Sequence, residues 1–106
     1  MIDISNKDLQ LVISILKKYL PDYEVRAFGS RVNGRSKPYS DLDLVVIGYK
    51  KIDLKILFRI EEAFEESILP FRVDLLDWNA ISESFQKIIE QKYEVIQAGN
   101  SLNKSE

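Results

Sequence analysis

Residues 29–43 read Gly-Ser-Arg-Val-Asn-Gly-Arg-Ser-Lys-Pro-Tyr-Ser-Asp-Leu-Asp, a Gly-Ser pair followed by two aspartates with one leucine between them. A third acid, Asp74, lies in a later apolar run, Phe71-Arg72-Val73-Asp74-Leu75-Leu76-Asp77. The Gly-Ser segment suits phosphates. Gly29 has no Cβ to keep a ligand off the backbone, and the hydroxyl and amides of a helix beginning at Ser30 would point at an anion. Arg31, Arg35 and Lys37 add positive charge to this connection. The Asp-Leu-Asp suits a divalent cation, because carboxylate and phosphate oxygens are the usual ligands of Mg²⁺. Phosphoryl or nucleotidyl transfer needs both.

These residues act together only if the chain brings them together. Asp41 and Asp43 open Ser-Asp-Leu-Asp-Leu-Val-Val-Ile-Gly, a β-branched run that reads as a strand. Side chains alternate across a strand, so Asp41, Asp43, Val45 and Ile47 share one face and Leu42, Leu44 and Val46 take the other. Two carboxylates side by side repel each other unless a cation intervenes. In the later run Arg72, Asp74 and Leu76 face one way, and Phe71, Val73, Leu75 and Asp77 the other. Neighbouring strands lie about 4.8 Å apart. If these two are neighbours, Asp74 reaches the Asp41/Asp43 face. Three carboxylates suit a pair of metals about 3.5–4 Å apart, clamping the attacking and leaving oxygens of an in-line displacement. Taken singly each piece has a plainer meaning: Asp-x-Asp is common at solvated strand ends, and Ser30 alone reads as a helix cap. The conjunction is the specific signal.

The rest of the chain supplies the scaffold. Leu9, Val12, Ile13, Leu16 and Leu20 mark one helical face over residues 5–20, capped by Ser5 or Asn6 and stopped by Pro21. A strand follows over Tyr23–Phe28, then the short phosphate segment and the strand Asp41–Ile47. A second helix, over 53–67, buries Ile56, Ile60, Ala63 and Phe64, and a strand over Phe71–Leu76 comes next. A last helix over 81–97 carries Ile81, Phe85, Ile88, Ile89 and Ile96. The expected order is α-β-α-β-α-β-α, an α/β sandwich with helices packed on a small sheet. Residues 1–98 form one domain, and the polar stretch 99–106 is expected to fray.

Composition removes the main rivals. The 106 residues include no Cys and no His. Thiol nucleophiles, Cys/His zinc sites and His-based triads are therefore impossible on this chain. Acid–base work falls to carboxylates, Lys, Tyr or a metal-bound oxygen. A net charge of −2 argues against a nucleic-acid binder. No apolar stretch approaches a membrane span and no signal peptide is visible, so the expected location is the cytoplasm.

The spacing Gly29-Ser30…Asp41-x-Asp43 with Asp74 on a later strand resembles the DNA polymerase β-like nucleotidyltransferase superfamily. Phe-Gly-Ser-Arg-Val-Asn-Gly with Tyr-Ser-Asp-Leu-Asp-Leu looks like its minimal nucleotidyltransferase (MNT) branch, over about Tyr23 to Trp78. The resemblance implies a small mixed β-sheet covered by helices on one side. It implies NTP binding, with Mg²⁺ held by Asp41 and Asp43 and completed by Asp74, and phosphates bound by Gly29 and Ser30, with Arg31 in the nucleotide site. It also implies a partner: many minimal members are the antitoxins of HEPN/MNT toxin–antitoxin pairs of type VII-like character. There the MNT protein transfers AMP from ATP to a tyrosine of the HEPN RNase. The sequence shows nothing beyond the catalytic core to grip a large acceptor, which agrees with a partner or self-association completing the site. The alternatives are a small-molecule acceptor, RNA-end extension, a remote Asp-x-Asp glycosyltransferase, and an antitoxin that acts by binding alone.

Overall fold

A computed structural model describes residues 2–100. Helix α1 (Asn6–Tyr19) starts where the Ser5 hydroxyl accepts the Asp8 amide at 3.1 Å and ends at Leu20, before Pro21. Strand β1 (Glu24–Phe28) leads through Gly29 into a single-turn helix, α2 (Ser30–Asn33). Strand β2 (Leu42–Ile47) follows, then α3 (Leu54–Glu65), which the Asp53 carboxylate caps by accepting the Lys55 amide at 2.8 Å. Strand β3 (Val73–Asp77) runs into a 3₁₀ turn at Trp78–Ala80. Helix α4 (Glu83–Gln91), capped by Ser82, and strand β4 (Glu94–Gln97) close the described chain.

The strands form one mixed sheet in the order β3-β2-β1-β4. β1 is antiparallel to both β2 and β4, and β2 is parallel to β3. The parallel β2–β3 connection is the one that carries α3 across the sheet, as a parallel pair requires. On one face α1 and α3 bury Val12, Leu16, Ile60 and Phe64 against Val25, Ala27, Leu42, Leu44, Val46 and Leu75. This is the alternation expected for β2, with its leucines inside and Asp43 on the opposite face. The small mixed sheet with packed helices matches the expected α/β class.

The last quarter departs from expectation. A single helix over 81–97 does not form: it ends at Gln91, and residues 94–97 return as β4. The reason is tertiary. Without β4 the outer edge of β1 would leave its amides and carbonyls unpaired beside the core. Tyr93 to Gln97 alternates well enough to fill that edge, with Ile96 packed on the core and Val95 exposed. Gln97 locks the strand by donating its buried side-chain amide to the carbonyls of Leu20 (2.7 Å) and Tyr23 (2.8 Å). Ile88, expected in the core, is 59% exposed. Of the stretch expected to fray, Asn100 donates its backbone amide to Asp22 at 3.1 Å, and residues 101–106 lie outside the described residues.

Candidate active site

Strand register sets the site. Phe28 pairs with Asp43 across β1 and β2, and Asp43 pairs with Asp74 across β2 and β3. Residues paired this way project from the same side of the sheet, so Phe28, Asp43 and Asp74 form one row on the face away from α1 and α3. Asp41 precedes β2 by one residue and is exposed. Asp77 belongs to the other face: it is buried, and its carboxylate accepts the amides of Ile52 (2.8 Å) and Asn79 (3.1 Å). Those bonds give Asp77 a structural task and leave the row to Asp43 and Asp74.

Asp43 carries the electrostatic strain. Burial, then the charge of Asp74, then that of Asp41, push its carboxyl up from 3.8 to about 6. Among the described residues no three carboxylates converge tightly enough to hold an ion unaided. Mg²⁺ needs no such cage: it is commonly held by one or two carboxylates, with waters and substrate phosphates filling the remaining positions. An all-oxygen donor set, held together against its own repulsion, fits that cation.

Gly29 joins the acids to the phosphate turn. Its backbone, φ 80° and ψ −156°, lies in a region open essentially to glycine alone. A Cβ there would sit 3.1 Å from Asp43 Cγ and collide with the carboxylate oxygen. The chain therefore turns into α2 directly against Asp43. The Gly29 carbonyl accepts the amides of Val32 and Asn33, both at 3.0 Å. Gly29, not Ser30, is the N-cap; Ser30 is the first helical residue, and among the described residues its hydroxyl makes no hydrogen bond.

Arg31 is placed differently from expectation. It is 5% exposed, and its guanidinium donates to three carbonyls: Ser40 (2.9 Å), Asp3 (2.8 Å) and Pro38 (3.1 Å). It also lies over the Phe71 ring at 4.2 Å. Those bonds engage three of the guanidinium's five N–H donors. Arg31 thereby ties the loop that delivers Asp41 to the N-terminal segment.

Two clefts flank the acid row. One, of about 390 Å³, runs from Phe28, Gly29 and Asn33 to Phe85, Ile88, Ile89 and Lys92 on and after α4. The Phe28 and Phe85 rings meet edge to face at 5.9 Å beside it. The other, of about 510 Å³, lies between α3 and β3 and reaches Arg72 and Asp74. Sequence reasoning missed both the cleft beside Gly29 and Arg26. Arg26 shares a face with Val45 and Leu76, pairs with Glu24 at 2.5 Å, and lies over Tyr93 at 4.3 Å. No local motif marks these residues; only the return of the chain through α4 and β4 assembles them.

A sheet with an acid row on the face away from α1 and α3, entered by a Gly-Ser turn, offers what nucleotidyl transfer requires, carboxylates beside an anion-binding turn. The chain belongs to the nucleotidyltransferase domain family, whose model matches residues 9–100. It is 52% identical over 96 residues to the probable protein adenylyltransferase MntA of Haemophilus influenzae, covering 91% of this chain and 84% of that protein. Its fold is similar to that of a toxin–antitoxin complex crystallised with AMP-PNP, with a TM-score of 0.71 and 21% identity over 92% of this chain and 77% of that one. It is also similar to a chain of the complex of a tri-AMPylated Shewanella oneidensis HEPN toxin with its MNT antitoxin, with a TM-score of 0.68 and 18% identity, covering 90% and 73%. The protein is a nucleotidyltransferase of the minimal type. Among the described residues no helix is long and apolar enough to cross a membrane.

Proposed function

We propose that this protein is the antitoxin of a HEPN/MNT pair and transfers AMP from ATP to a tyrosine hydroxyl of its HEPN toxin, releasing pyrophosphate. The observation that carries the reading is the register Phe28–Asp43–Asp74, with Gly29 packed against the Asp43 carboxylate. Phosphates and carboxylates are thereby held at one point. The 52% identity to a protein adenylyltransferase supports a protein acceptor.

The residues divide the work. Gly29 and the Ser30 hydroxyl receive the terminal phosphates at the start of α2, and the cleft leading to Phe85 gives the base apolar room. Asp41 and Asp43, with Asp74, would hold Mg²⁺, which neutralises charge on the phosphates when bound. Asp74, nearest the α3 cleft, takes up the proton of the incoming hydroxyl. The acceptor oxygen forms a bond to the α-phosphorus while the bond to the β-phosphate oxygen breaks and pyrophosphate leaves in line. Nothing in this step requires His or Cys, which the chain lacks.

The test is intact-mass spectrometry of the toxin after incubation with this protein, ATP and Mg²⁺. Each transferred AMP adds about 329 Da, the mass expected for displacement of pyrophosphate. A toxin that stays unmodified yet is inhibited equally by wild type and by the Asp41→Asn/Asp43→Asn variant would overturn the enzymatic reading in favour of binding alone.

A further inference from the structure

Helix α3 is built against its own stability. Its first half and approach carry Lys50, Lys51, Lys55 and Arg59, and its second half carries Glu61, Glu62, Glu65 and Glu66. Cations at the N-terminus and anions at the C-terminus both oppose the helix dipole. The i,i+4 pairs Lys55–Arg59, Glu61–Glu65 and Glu62–Glu66 are like-charged, which weakens a helix standing alone. Among the described residues none of these charges has an ion-pair partner. The helix also exposes Leu54 (79%) and Phe58 (72%), one turn apart. Large apolar side chains grouped in this way mark an interaction surface.

The pattern is self-complementary about Phe58. Lys55 lies before it and Glu62 after it, both turned to the same flank of its direction on the helix. If a second α3 lies antiparallel with the twofold axis beside Phe58, each Lys55 falls on the partner's Glu62, because the twofold keeps both on the same flank. Lys50 and Lys51 then run toward the partner's Glu65 and Glu66. A twofold interface repeats every such pair. We infer that this face of α3 is the interface of a homodimer, with Phe58 packed on its counterpart at the axis and the charge halves neutralising each other. The inference stands on the helix alone and is independent of the acceptor proposed above.

Charge-swap variants test this through sedimentation of the full chain across a range of concentration and salt. Wild type should be a dimer that weakens as salt rises. Lys55→Glu and Glu62→Lys should each weaken association about tenfold or more, because each places like charges face to face twice. Each variant turns a like-charged i,i+4 pair within one chain (Lys55–Arg59 or Glu62–Glu66) into an opposite pair, so a monomer melting temperature that holds or rises excludes misfolding as the cause. The double variant should restore the dimer. Phe58→Asp should abolish it. A wild-type monomer at every concentration would overturn the inference. So would a dimer indifferent to the swaps, or a monomeric chain that uses Phe58 to bind a separately encoded protein.

Discussion

Asp43 on β2 and Asp74 on β3 are direct neighbours on parallel strands, on the open face of the sheet. Parallel pairing places the two strands' starts at the same end, so both acids stand near that end, beside the turn at Gly29. A protein without a ligand for them holds two like charges together at a cost. Function, rather than stability, explains that arrangement.

The first prediction follows from this cost. Asp43→Asn should abolish nucleotidyl transfer, with a rate loss on the order of a thousandfold or more, while the metal-free fold melts at a higher temperature than wild type. Asp41→Asn should lose activity similarly with a smaller gain in stability, because Asp41 is exposed. Steady-state kinetics beside calorimetry without metal checks both. Near-wild-type turnover in either variant would remove these acids from the site.

A pH dependence accompanies it. The folded Asp43 carboxyl binds its proton more tightly than the unfolded one, at about 6 against 3.8. Stability from this group is therefore full below about pH 4 and is lost as pH rises toward and through 6. The melting-temperature advantage of Asp43→Asn should be absent near pH 4 and grow to a plateau above pH 7. Mg²⁺ at pH 7 should raise the melting temperature of wild type and not of Asp43→Asn. An advantage independent of pH would show that Asp43 is not the strained group.

Much of this site was legible in the sequence because strand alternation is a local rule. The runs around Asp43 and Asp74 sort their residues to faces with no knowledge of the sheet, and Asp77 falls on the far face as alternation requires. What was not legible depended on distant segments. Residues 94–97 carry helical spacing and strand alternation at once, and the open edge of β1 decides between them. Arg31 is expected in the nucleotide site because it follows Gly-Ser, and the sequence gives no sign of the bonds it makes. The carbonyls it bonds, of Asp3, Pro38 and Ser40, come from loops whose course no periodicity reveals.

Gly29 supports a third prediction. Gly29→Ala meets both a backbone region costing about 1–3 kcal/mol for a residue with a Cβ and a collision with Asp43. The variant should lose stability by about that amount in urea unfolding, and kcat/KM for ATP should fall further than stability accounts for, because the carboxylate must move. Gly34→Ala is the control: it shares a positive φ of 83° but has open space around it. It should cost stability with nucleotide kinetics unchanged. Equal kinetic losses in both variants would show that the turn, not its contact with Asp43, matters.

Ser30 gives a fourth. It is not the cap of α2, so Ser30→Ala should change stability by less than about 0.5 kcal/mol, the usual range for a substitution away from caps and core. A hydrogen bond to a charged group contributes about 1.5–3 kcal/mol. Its loss should lower kcat/KM for ATP by about ten- to a hundredfold. Unchanged kinetics with a lowered melting temperature would return Ser30 to a structural role.

The last prediction separates positioning from binding at Arg31. Its guanidinium satisfies three carbonyls in the loop leading to Asp41, and lysine cannot reach three directions with one ammonium group. Arg31→Lys should cost about 2–4 kcal/mol, the range for breaking a buried hydrogen-bond network. The loop then loosens and Asp41 is held less well, so kcat should fall. Nucleotide affinity, measured by calorimetric titration of a non-hydrolysable analogue without metal, should change little, because the guanidinium is held by the carbonyls of Asp3, Pro38 and Ser40. A stable Arg31→Lys protein with much weakened analogue binding would reverse the assignment and make Arg31 the phosphate ligand that its place after Gly29-Ser30 suggests.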